Sequence, residues 1–357
     1  MIEPKDRDTI TRRRFVAGAG LAGAAGPFVW THRAGAAGKV IIRTIGGSYE
    51  EATVKAIFEP FTKATGIEVV KVPATLGKVL AMHEAGNMEL DVMDAGELGV
   101  FSLSQKGALD KINYKAWKLT NPDDIDPAVR RDDMVADIFF SSVLGYNNQT
   151  FPTGKQPRSW AEFWDIKKFS GPRMLADIAS GAVDLEFALL ADGVPKDKLY
   201  PLDVPRALKS LDRIKGDIKV WWSQFPQPGV LLKSGEITAT PWTRSISFVL
   251  EGEPMGISYE GGALTYEAWV VPKGAPHTDN AMKFINFALQ PKPQAELTKY
   301  IAFGPTNSKA TPLVDPKLRP LLSSDPDNVK KGFLLSGDWW GPNLDKVNEK
   351  WNEWRLA

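Results

Sequence analysis

The sequence predicts an α/β protein of two lobes, and three observations lead to this prediction. The first is an alternation of β-branched runs and amphipathic segments that begins at residues 39–45, 51–64 and 67–72. A strand, a helix and a strand at this spacing form a βαβ unit with a right-handed crossover. The second is the length of 357 residues, because single cores rarely grow beyond about 250–300 residues. The third is a path that leaves the first lobe near residues 141–147 and returns with a strand at residues 268–272.

The remaining predicted elements continue this alternation. Further helices are predicted at residues 79–85, 99–106, 159–164, 185–190, 207–214 and 280–289, and further strands at residues 90–93 and 218–222. The C-terminal segment has Trp340, Trp351 and Trp354 at helical intervals, and we interpret it as a helix docked on its own lobe. Ligands of open sheets collect at the carboxyl ends of strands, so residues 46–49 and 95–98 are expected at the mouth of a binding site.

The N-terminus carries the parts of a secretory signal. A basic run, Arg12-Arg13-Arg14, precedes a Gly- and Ala-rich apolar stretch at residues 17–30 and the small residues 34–36. The paired arginines favour export by the twin-arginine route. The apolar stretch of about fourteen residues is too short for a membrane span, which needs roughly twenty. We therefore expect residues 1–36 to be a twin-arginine signal peptide and the protein to be periplasmic, not embedded in a membrane.

Composition argues against several classes of function. The sequence has 44 Lys and Arg against 43 Asp and Glu, and this near-neutral balance gives no field that would attract nucleic acid. It has no cysteine, hence no thiol nucleophile and no site for a lipid anchor. His83 and His277 stand alone without metal-ligand spacing, so we expect no metal, no cofactor and no enzyme. A periplasmic enzyme such as a glycosidase is the alternative, because carboxylates are plentiful.

Several short segments of the chain point to one family. They are Phe58-Glu59-Pro60-Phe61-Thr62-Lys63-Ala64-Thr65-Gly66-Ile67, Lys106-Gly107-Ala108-Leu109-Asp110-Lys111-Ile112, residues 160–164 followed by Gly171-Pro172, Glu260-Gly261-Gly262 leading to Val271-Pro272-Lys273, residues 281–287, and Gly304-Pro305-Thr306-Asn307. In their order and spacing these segments resemble periplasmic polyamine-binding proteins. Those proteins are members of the extracellular solute-binding family that serves spermidine/putrescine-type ABC importers.

The resemblance implies the two-lobe periplasmic binding protein fold (type II), in which each lobe is a mixed sheet flanked by helices and the lobes are hinged. The N-terminal lobe would hold residues 39–142 and 268–312, and the C-terminal lobe residues 146–265 and 313–357. The expected role is capture of a small solute in the periplasm and its delivery to an ABC permease, and through the permease to the ATPase. We expect a monomer.

In such proteins carboxylates meet the ammonium groups of the ligand, and aromatic rings box its methylene chain. Carried over position by position, the resemblance implies ligand-binding roles for Tyr49, Gly96, Glu97, Asp184, Glu186, Trp242, Arg244, Glu267, Phe303 and Trp340. Glu267 falls at a ligand-binding carboxylate of the family and Trp242 at a boxing tryptophan. Either Asp184 or Glu186 could match a second carboxylate.

Two departures from the family pattern leave the solute open. Thr265 stands where the polyamine binders have an aromatic residue, and Arg244 where they have a small one. A fixed cation near the pocket repels a diamine and favours a carboxylate. The resemblance still makes a polyamine such as putrescine or spermidine the leading ligand. The alternative is a zwitterionic or carboxylate-containing organic solute.

Overall fold

The structure is a computed structural model that describes residues 38–180, 184–224, 226–243 and 245–357. The expected signal peptide at residues 1–36 and the expected ligand residue Arg244 lie outside these residues.

Strands and helices alternate along the described chain. The strands are β1 (Lys39–Thr44), β2 (Glu68–Pro73), β3 (Val92–Gly96), β4 (Val135–Asn147), β5 (Arg173–Ala176), β6 (Ile218–Trp222), β7 (Ala239–Trp242), β8 (Met255–Val270), β9 (Gly304–Pro305) and β10 (Phe333–Leu334). The α-helices are α1 (Gly47–Thr53), α2 (Glu59–Thr65), α3 (Leu76–Glu84), α4 (Glu97–Gln105), α5 (Trp160–Trp164), α6 (Leu185–Ala191), α7 (Val204–Asp212), α8 (Gln227–Ser234), α9 (Ser245–Leu250), α10 (Thr278–Ala288), α11 (Pro291–Leu297), α12 (Pro326–Lys331) and α13 (Gly337–Leu356). One π-helical turn, Val54–Phe58, joins α1 to α2.

Two long antiparallel strands connect two groups of parallel strands. The strand order is β2-β1-β3-β8-β4-β7-β5-β6, with β9 beside β4 and β10 beside β8. β1 runs parallel to β2 and β3, which confirms the predicted βαβ unit, and β5 runs parallel to β6 and β7. The predicted crossing at residues 141–147 is part of β4, and the predicted return strand is the end of β8. The chain therefore passes between the two groups inside continuous strands of 13 and 16 residues.

Each group of strands has its own apolar core. In the first core the ring of Phe284 meets Phe61 and Trp269 edge-on, with centroids 5.3 and 5.2 Å apart. In the second core Trp160 stacks on Phe187 at 3.9 Å. The first core draws on residues 40–138 and 266–297, and the second mainly on residues 144–218 and 340–351. The lobe boundaries given by the sequence stay a prediction.

The C-terminal segment forms the predicted amphipathic helix, α13. Ser336 caps its first turn by accepting a hydrogen bond from the backbone N–H of Trp339 at 3.2 Å. Trp340 and Trp351 are buried in the second core. Near the end of the helix, Trp351 packs edge-on against Trp221 with ring centroids 5.4 Å apart.

Two glycines allow α13 to lie directly against α4. A Cβ added to Gly337 would come within 2.5 Å of Glu97 Cγ, and one added to Gly341 within 1.8 Å of the Phe101 ring. Because Gly337 and Gly341 are four residues apart, they lie on the same face of α13. The backbone of the last helix is therefore in contact with a helix whose own apolar side, through Val100, belongs to the first core.

No helix in the described part of the chain is both long enough and apolar enough to cross a membrane.

We predict that Trp351→Ala lowers the free energy of unfolding by about 3–5 kcal/mol, because it removes a large side chain that is 1% exposed and leaves a cavity. Leu356→Ala is the control on the same helix, since Leu356 is 91% exposed and its replacement should change little. Denaturant unfolding of the two variants measures the difference. Equal stability of both variants would mean that the end of α13 is not docked.

Candidate functional site

Three carboxylates lie on neighbouring strands at one end of the first core: Asp94 of β3, Asp137 of β4 and Glu267 of β8, which together we call the acidic cluster. Gly96 of β3 pairs with Glu267, and a Cβ added to Gly96 would lie 3.4 Å from Glu267 Oε1. The β4–β8 register shifts between Ala136 and Ile138, so Asp137 sits in a β-bulge. Bulges re-aim side chains, and this one places Asp137 toward β3 and α1.

Aromatic side chains stand against the acidic cluster. Tyr49 of α1 donates its hydroxyl proton to Asp137 Oδ2 at 3.0 Å. The Tyr49 ring meets Phe303 edge-on at 5.9 Å, and Phe303 in turn lies 5.8 Å from Phe140. These rings offer an apolar wall beside the carboxylates, of the kind that holds the methylene groups of an organic cation.

One guanidinium lies close to the cluster without forming an ion pair in the described structure. Arg43 of β1 donates from Nε to the carbonyl oxygen of Ala74 at 2.8 Å, and from a terminal nitrogen to the carbonyl oxygen of Asp94. Arg43, Tyr49, Asp94 and Trp269 line a small cavity of about 20 Å³. The guanidinium is thus held by backbone carbonyls, and its positive charge only partly offsets the three carboxylates.

Two carboxylate oxygens of the cluster are buried without a hydrogen-bond partner among the described residues. They are Asp94 Oδ1 and Asp137 Oδ1, on side chains from residues that are 9% and 3% exposed. A buried acceptor without a donor costs free energy, typically about 1–3 kcal/mol and more when it is charged. The two oxygens therefore favour a ligand that brings N–H or O–H donors.

Burial raises the pKa of all three carboxyl groups in the cluster. The pKa of Asp94 rises to about 6 because burial outweighs the hydrogen bond from Tyr49 and the charge of Arg43. Burial, and then the charge of Asp94, raise the pKa values of Asp137 and Glu267 well above the usual range. The cluster has more negative charge than its surroundings can stabilise, so a bound cation would relieve it.

Glu97, the first residue of α4, contacts α13 directly. Its Oε1 accepts a hydrogen bond from the backbone N–H of Gly337 at 2.5 Å, at the positive end of the α13 dipole. Burial nevertheless raises the pKa of Glu97 to about 7, with a further contribution from the charge of Asp338. Asp338 itself pairs with Arg131 at 2.8 Å. Glu97 and Arg131 therefore tie the first part of the chain to its last helix.

Asp184 and Glu186, the two candidates for a second ligand carboxylate, both have protein partners. Asp184 Oδ2 accepts a hydrogen bond from the backbone N–H of Ala176 at 2.7 Å. Glu186 Oε1 accepts hydrogen bonds from Tyr200 Oη and Trp340 Nε1, each at 2.7 Å. Burial raises the pKa of both carboxyl groups, that of Asp184 to about 7. These contacts hold α6, α13 and β5 together within the second core.

The predicted site residues thus fall into separate groups. The structure brings Tyr49, Gly96, Glu267 and Phe303 together at the acidic cluster, and it places Asp184, Glu186 and Trp340 in the second core. Glu97 lies at the contact between α4 and α13. Trp242 is 2% exposed and packs edge-on against Phe248 at 5.0 Å, and Arg244 lies outside the described residues.

Sequence reasoning missed Asp94, Asp137 and Arg43. The sequence predicts a strand at residues 90–93, whereas β3 extends from Val92 to Gly96. With the observed bounds, Asp94 and Gly96 are both at the end of this strand. No sequence signal marks the bulge that aims Asp137. Among the described residues, no group of three or more His, Asp or Glu side chains is arranged to hold a metal ion.

A family model described as bacterial extracellular solute-binding protein matches residues 56–328, which is most of the chain. The chain belongs to this family. A structure titled as the periplasmic binding protein AgtB from Agrobacterium tumefaciens R10 in complex with agropinic acid is 38% identical to this solute-binding protein. The alignment covers 90% of this chain and 99% of AgtB, with a TM-score of 0.73. The neighbours have the two-lobe fold predicted from the sequence.

Two curated relatives carry the names of different solutes. The gamma-aminobutyric acid-binding protein of Pseudomonas aeruginosa is 29% identical over 87% of this chain and 89% of its own length. The spermidine/putrescine-binding periplasmic protein of Escherichia coli K12 is 24% identical over 80% of this chain and 84% of its own length. This solute-binding protein is therefore a substrate-binding component of an ABC transporter, with relatives named for amine-bearing solutes.

We predict that the solute-free protein becomes less stable as the pH rises from 5 to 8. A carboxyl group with a raised pKa in the folded state stabilises the fold below its unfolded pKa, near 4, and this contribution is lost as the pH rises through the folded pKa. Asp184, with a folded pKa of about 7, should contribute a fall of at most about 1.4 kcal/mol per pH unit.

Denaturant unfolding at several pH values measures this slope. Asp184→Asn should flatten the pH dependence, because an amide oxygen can still accept the hydrogen bond from Ala176 but cannot titrate. Asp197→Asn, at an exposed aspartate of the same half, should have the same pH dependence as the unmodified protein. The same slope in all three proteins would contradict the raised pKa of Asp184.

Proposed function

We propose that this protein captures a small organic solute that carries an ammonium group, and that it delivers the solute to the permease of an ABC importer. The main supporting observation is the pair of buried carboxylate oxygens without donors, Asp94 Oδ1 and Asp137 Oδ1, beside Glu267. An ammonium group has three N–H donors and one positive charge, and hydrogen bonds from it to carboxylates are among the stronger ones in proteins.

The aromatic wall supports the same class of solute. A primary ammonium on the carboxylates would continue into methylene groups, and Tyr49, Phe303 and Phe140 provide rings for them. The pKa of Tyr49 is raised by burial and by the charge of Asp137, so its hydroxyl keeps its proton and continues to orient Asp137 Oδ2. The orientation leaves Oδ1 for the solute.

The difference between the two halves favours a solute with one ammonium group over a diamine. In the second half Asp184 and Glu186 already accept hydrogen bonds from Ala176, Tyr200 and Trp340. A second ammonium group would have to compete with these donors. The family resemblance implies that Arg244 is near the pocket, where a fixed cation would attract a carboxylate. An ω-amino acid such as 4-aminobutyrate, the solute that names the Pseudomonas aeruginosa relative, is therefore our first candidate.

A polyamine, the leading ligand from the sequence, is the second candidate. It is supported by the relatives named for spermidine and putrescine and by the negative charge of the cluster. In both cases we place capture in the periplasm, after export through the twin-arginine signal expected at residues 1–36. Closure of the two lobes would then present the loaded form to the permease.

We predict that 4-aminobutyrate raises the thermal unfolding midpoint of residues 37–357 by several degrees. Ligand at about one hundred times its dissociation constant stabilises the folded state by about 2.7 kcal/mol, which is enough for such a shift. Putrescine, spermidine, agropinic acid and dicarboxylates belong in the same scan. A shift with dicarboxylates alone would contradict an ammonium site, and turnover of any solute would point to an enzyme instead.

We predict that Asp137→Asn and Glu267→Gln each weaken binding of the amine roughly 10- to 150-fold. The reason is the loss of a charged hydrogen-bond acceptor, which contributes about 1.5–3 kcal/mol. Glu89→Gln is the matched control, because Glu89 is exposed on the same half. Isothermal titration gives the affinities, and unchanged affinity in both cluster variants would remove the acidic cluster from the site.

A further inference from the structure

The charges that face the acidic cluster do not balance. Asp94, Asp137 and Glu267 bring three carboxylates from β3, β4 and β8. Arg43 on β1 is the nearby cation, and Tyr49 on α1 brings a neutral hydroxyl. If all three carboxylates were ionised, the group would carry a net charge of about −2 in a buried place.

Two further carboxylates, Glu50 and Glu97, lie near the cluster, and Glu97 Oε2 is buried without a hydrogen-bond partner among the described residues. Glu50, which lines the same cavity, pairs with Lys71 at 2.6 Å. Glu97, from the turn after Gly96, accepts the hydrogen bond from Gly337. Both groups are carboxylates, so neither supplies the positive charge that the cluster lacks. Like charges held close together in a protein interior do not all ionise, and the usual outcome is that one carboxyl group keeps a proton.

Asp137 Oδ1 is an atom on which such a proton can reside. Tyr49 donates to Oδ2, so that oxygen acts as an acceptor, and Oδ1 has no donor from the described protein. A lone pair of Oδ1 that holds a proton cannot at the same time accept a hydrogen bond from an ammonium N–H. The solute and the proton therefore compete for one position.

We propose that the acidic cluster holds a proton in the solute-free protein and releases it when an ammonium group enters, so that capture exchanges a proton for an organic cation. The exchange rests on the proposed function. The O–H bond of the carboxyl group breaks, its proton goes to water or buffer, and the ammonium group keeps its three protons and pairs with the new carboxylate. The ammonium group replaces the positive charge of the released proton, so the charge at the acidic cluster is the same before and after capture.

The raised pKa values support the exchange and fix its sign. The pKa of Asp94 is raised to about 6 by burial, and burial also raises the pKa values of Asp137 and Glu267. Only the ionised cluster accepts an ammonium group. The affinity for an amine should therefore rise with pH through the neutral range, by up to ~10-fold per pH unit when one proton is released.

Isothermal titration of 4-aminobutyrate and of putrescine at pH 6, 7 and 8 tests the exchange. Each titration is run in two buffers of different ionisation enthalpy, because the difference in heat counts the protons released. We expect release of about one proton per bound solute at pH 6 and of fewer at pH 8. The affinity should increase from pH 6 to pH 8. Asp137→Asn should lower the proton count and flatten the pH dependence of the affinity, and Glu89→Gln should leave both unchanged.

Tyr49→Phe distinguishes proton exchange from a general loss of binding. The hydroxyl of Tyr49 lowers the pKa of Asp137, so its removal should raise that pKa and shift the rise in affinity to higher pH. A variant that merely damaged the pocket would weaken binding equally at every pH. If Asp137→Asn does not fold, Glu267→Gln provides the same comparison.

An infrared pH titration of the solute-free protein tests the held proton without any ligand. The difference spectrum between the unmodified protein and Asp137→Asn should contain a protonated carboxyl band near neutral pH. Solute binding with no proton release, together with no such band, overturns the exchange and leaves the proposed function standing. If none of the amines binds, the proposed function fails, and the exchange fails with it even where the band is present.

Discussion

The candidate site depends on one electrostatic constraint, the burial of Asp94, Asp137 and Glu267 beside the guanidinium of Arg43, which is bound to backbone carbonyls. Burying carboxylates without full compensation opposes folding. The two aromatic cores must supply the stability that the cluster removes, and both contain large, fully buried rings. Proteins commonly use part of their stability to maintain a binding site whose buried charges are compensated only when the ligand is bound.

The long strands β4 and β8 explain how the cluster is kept in place while the two halves remain connected. Asp137 lies near the start of β4 and Glu267 near the end of β8, so both belong to the parts of these strands that pair beside the first core. The opposite ends of the same strands pair beside the second core. A rotation of one half against the other can bend the middle of these strands without separating the carboxylates from one another.

The turn between β3 and α4 brings the cluster and the last helix to neighbouring positions of the chain. Gly96 packs against Glu267, and the next residue, Glu97, accepts the hydrogen bond from Gly337. A side chain at position 337 would displace Glu97, and a shift of that turn would also displace Gly96. The acidic cluster and the α4–α13 contact are therefore linked through one peptide unit.

The sequence predicted those parts of the structure that depend on local pattern. The βαβ unit, the strand at residues 218–222 and the helix capped by Ser159 are confirmed, because β-branched runs and capping side chains act over a few residues. The first half of β8 was not predicted, since Gly256, Gly261 and Gly262 interrupt the alternation of strand residues. Sheet pairing imposed by distant residues overrides this local signal.

The sequence could not predict side-chain directions that depend on strand register. The resemblance to known binding proteins led to Glu267 and Tyr49, which the structure places together. Asp137 could not be found in this way, because a bulge in the β4–β8 pairing decides where it points. The sequence offers Asp184 and Glu186 as alternatives for one role. In the structure both lie in the second core, where Asp184 accepts a hydrogen bond from Ala176 and Glu186 accepts hydrogen bonds from Tyr200 and Trp340.

The two groups of carboxylates therefore have different physical roles although both are buried and both have raised pKa values. In the second core, each carboxylate accepts hydrogen bonds from the protein itself. In the cluster, Asp94 Oδ1 and Asp137 Oδ1 have no such donors in the described protein, so their desolvation is compensated only by a proton or a bound cation. A raised pKa alone does not distinguish a binding carboxylate from a structural one. The distinguishing property is a carboxylate oxygen that the folded protein leaves unsatisfied, and among the described carboxylates Asp94, Asp137 and Glu97 have one.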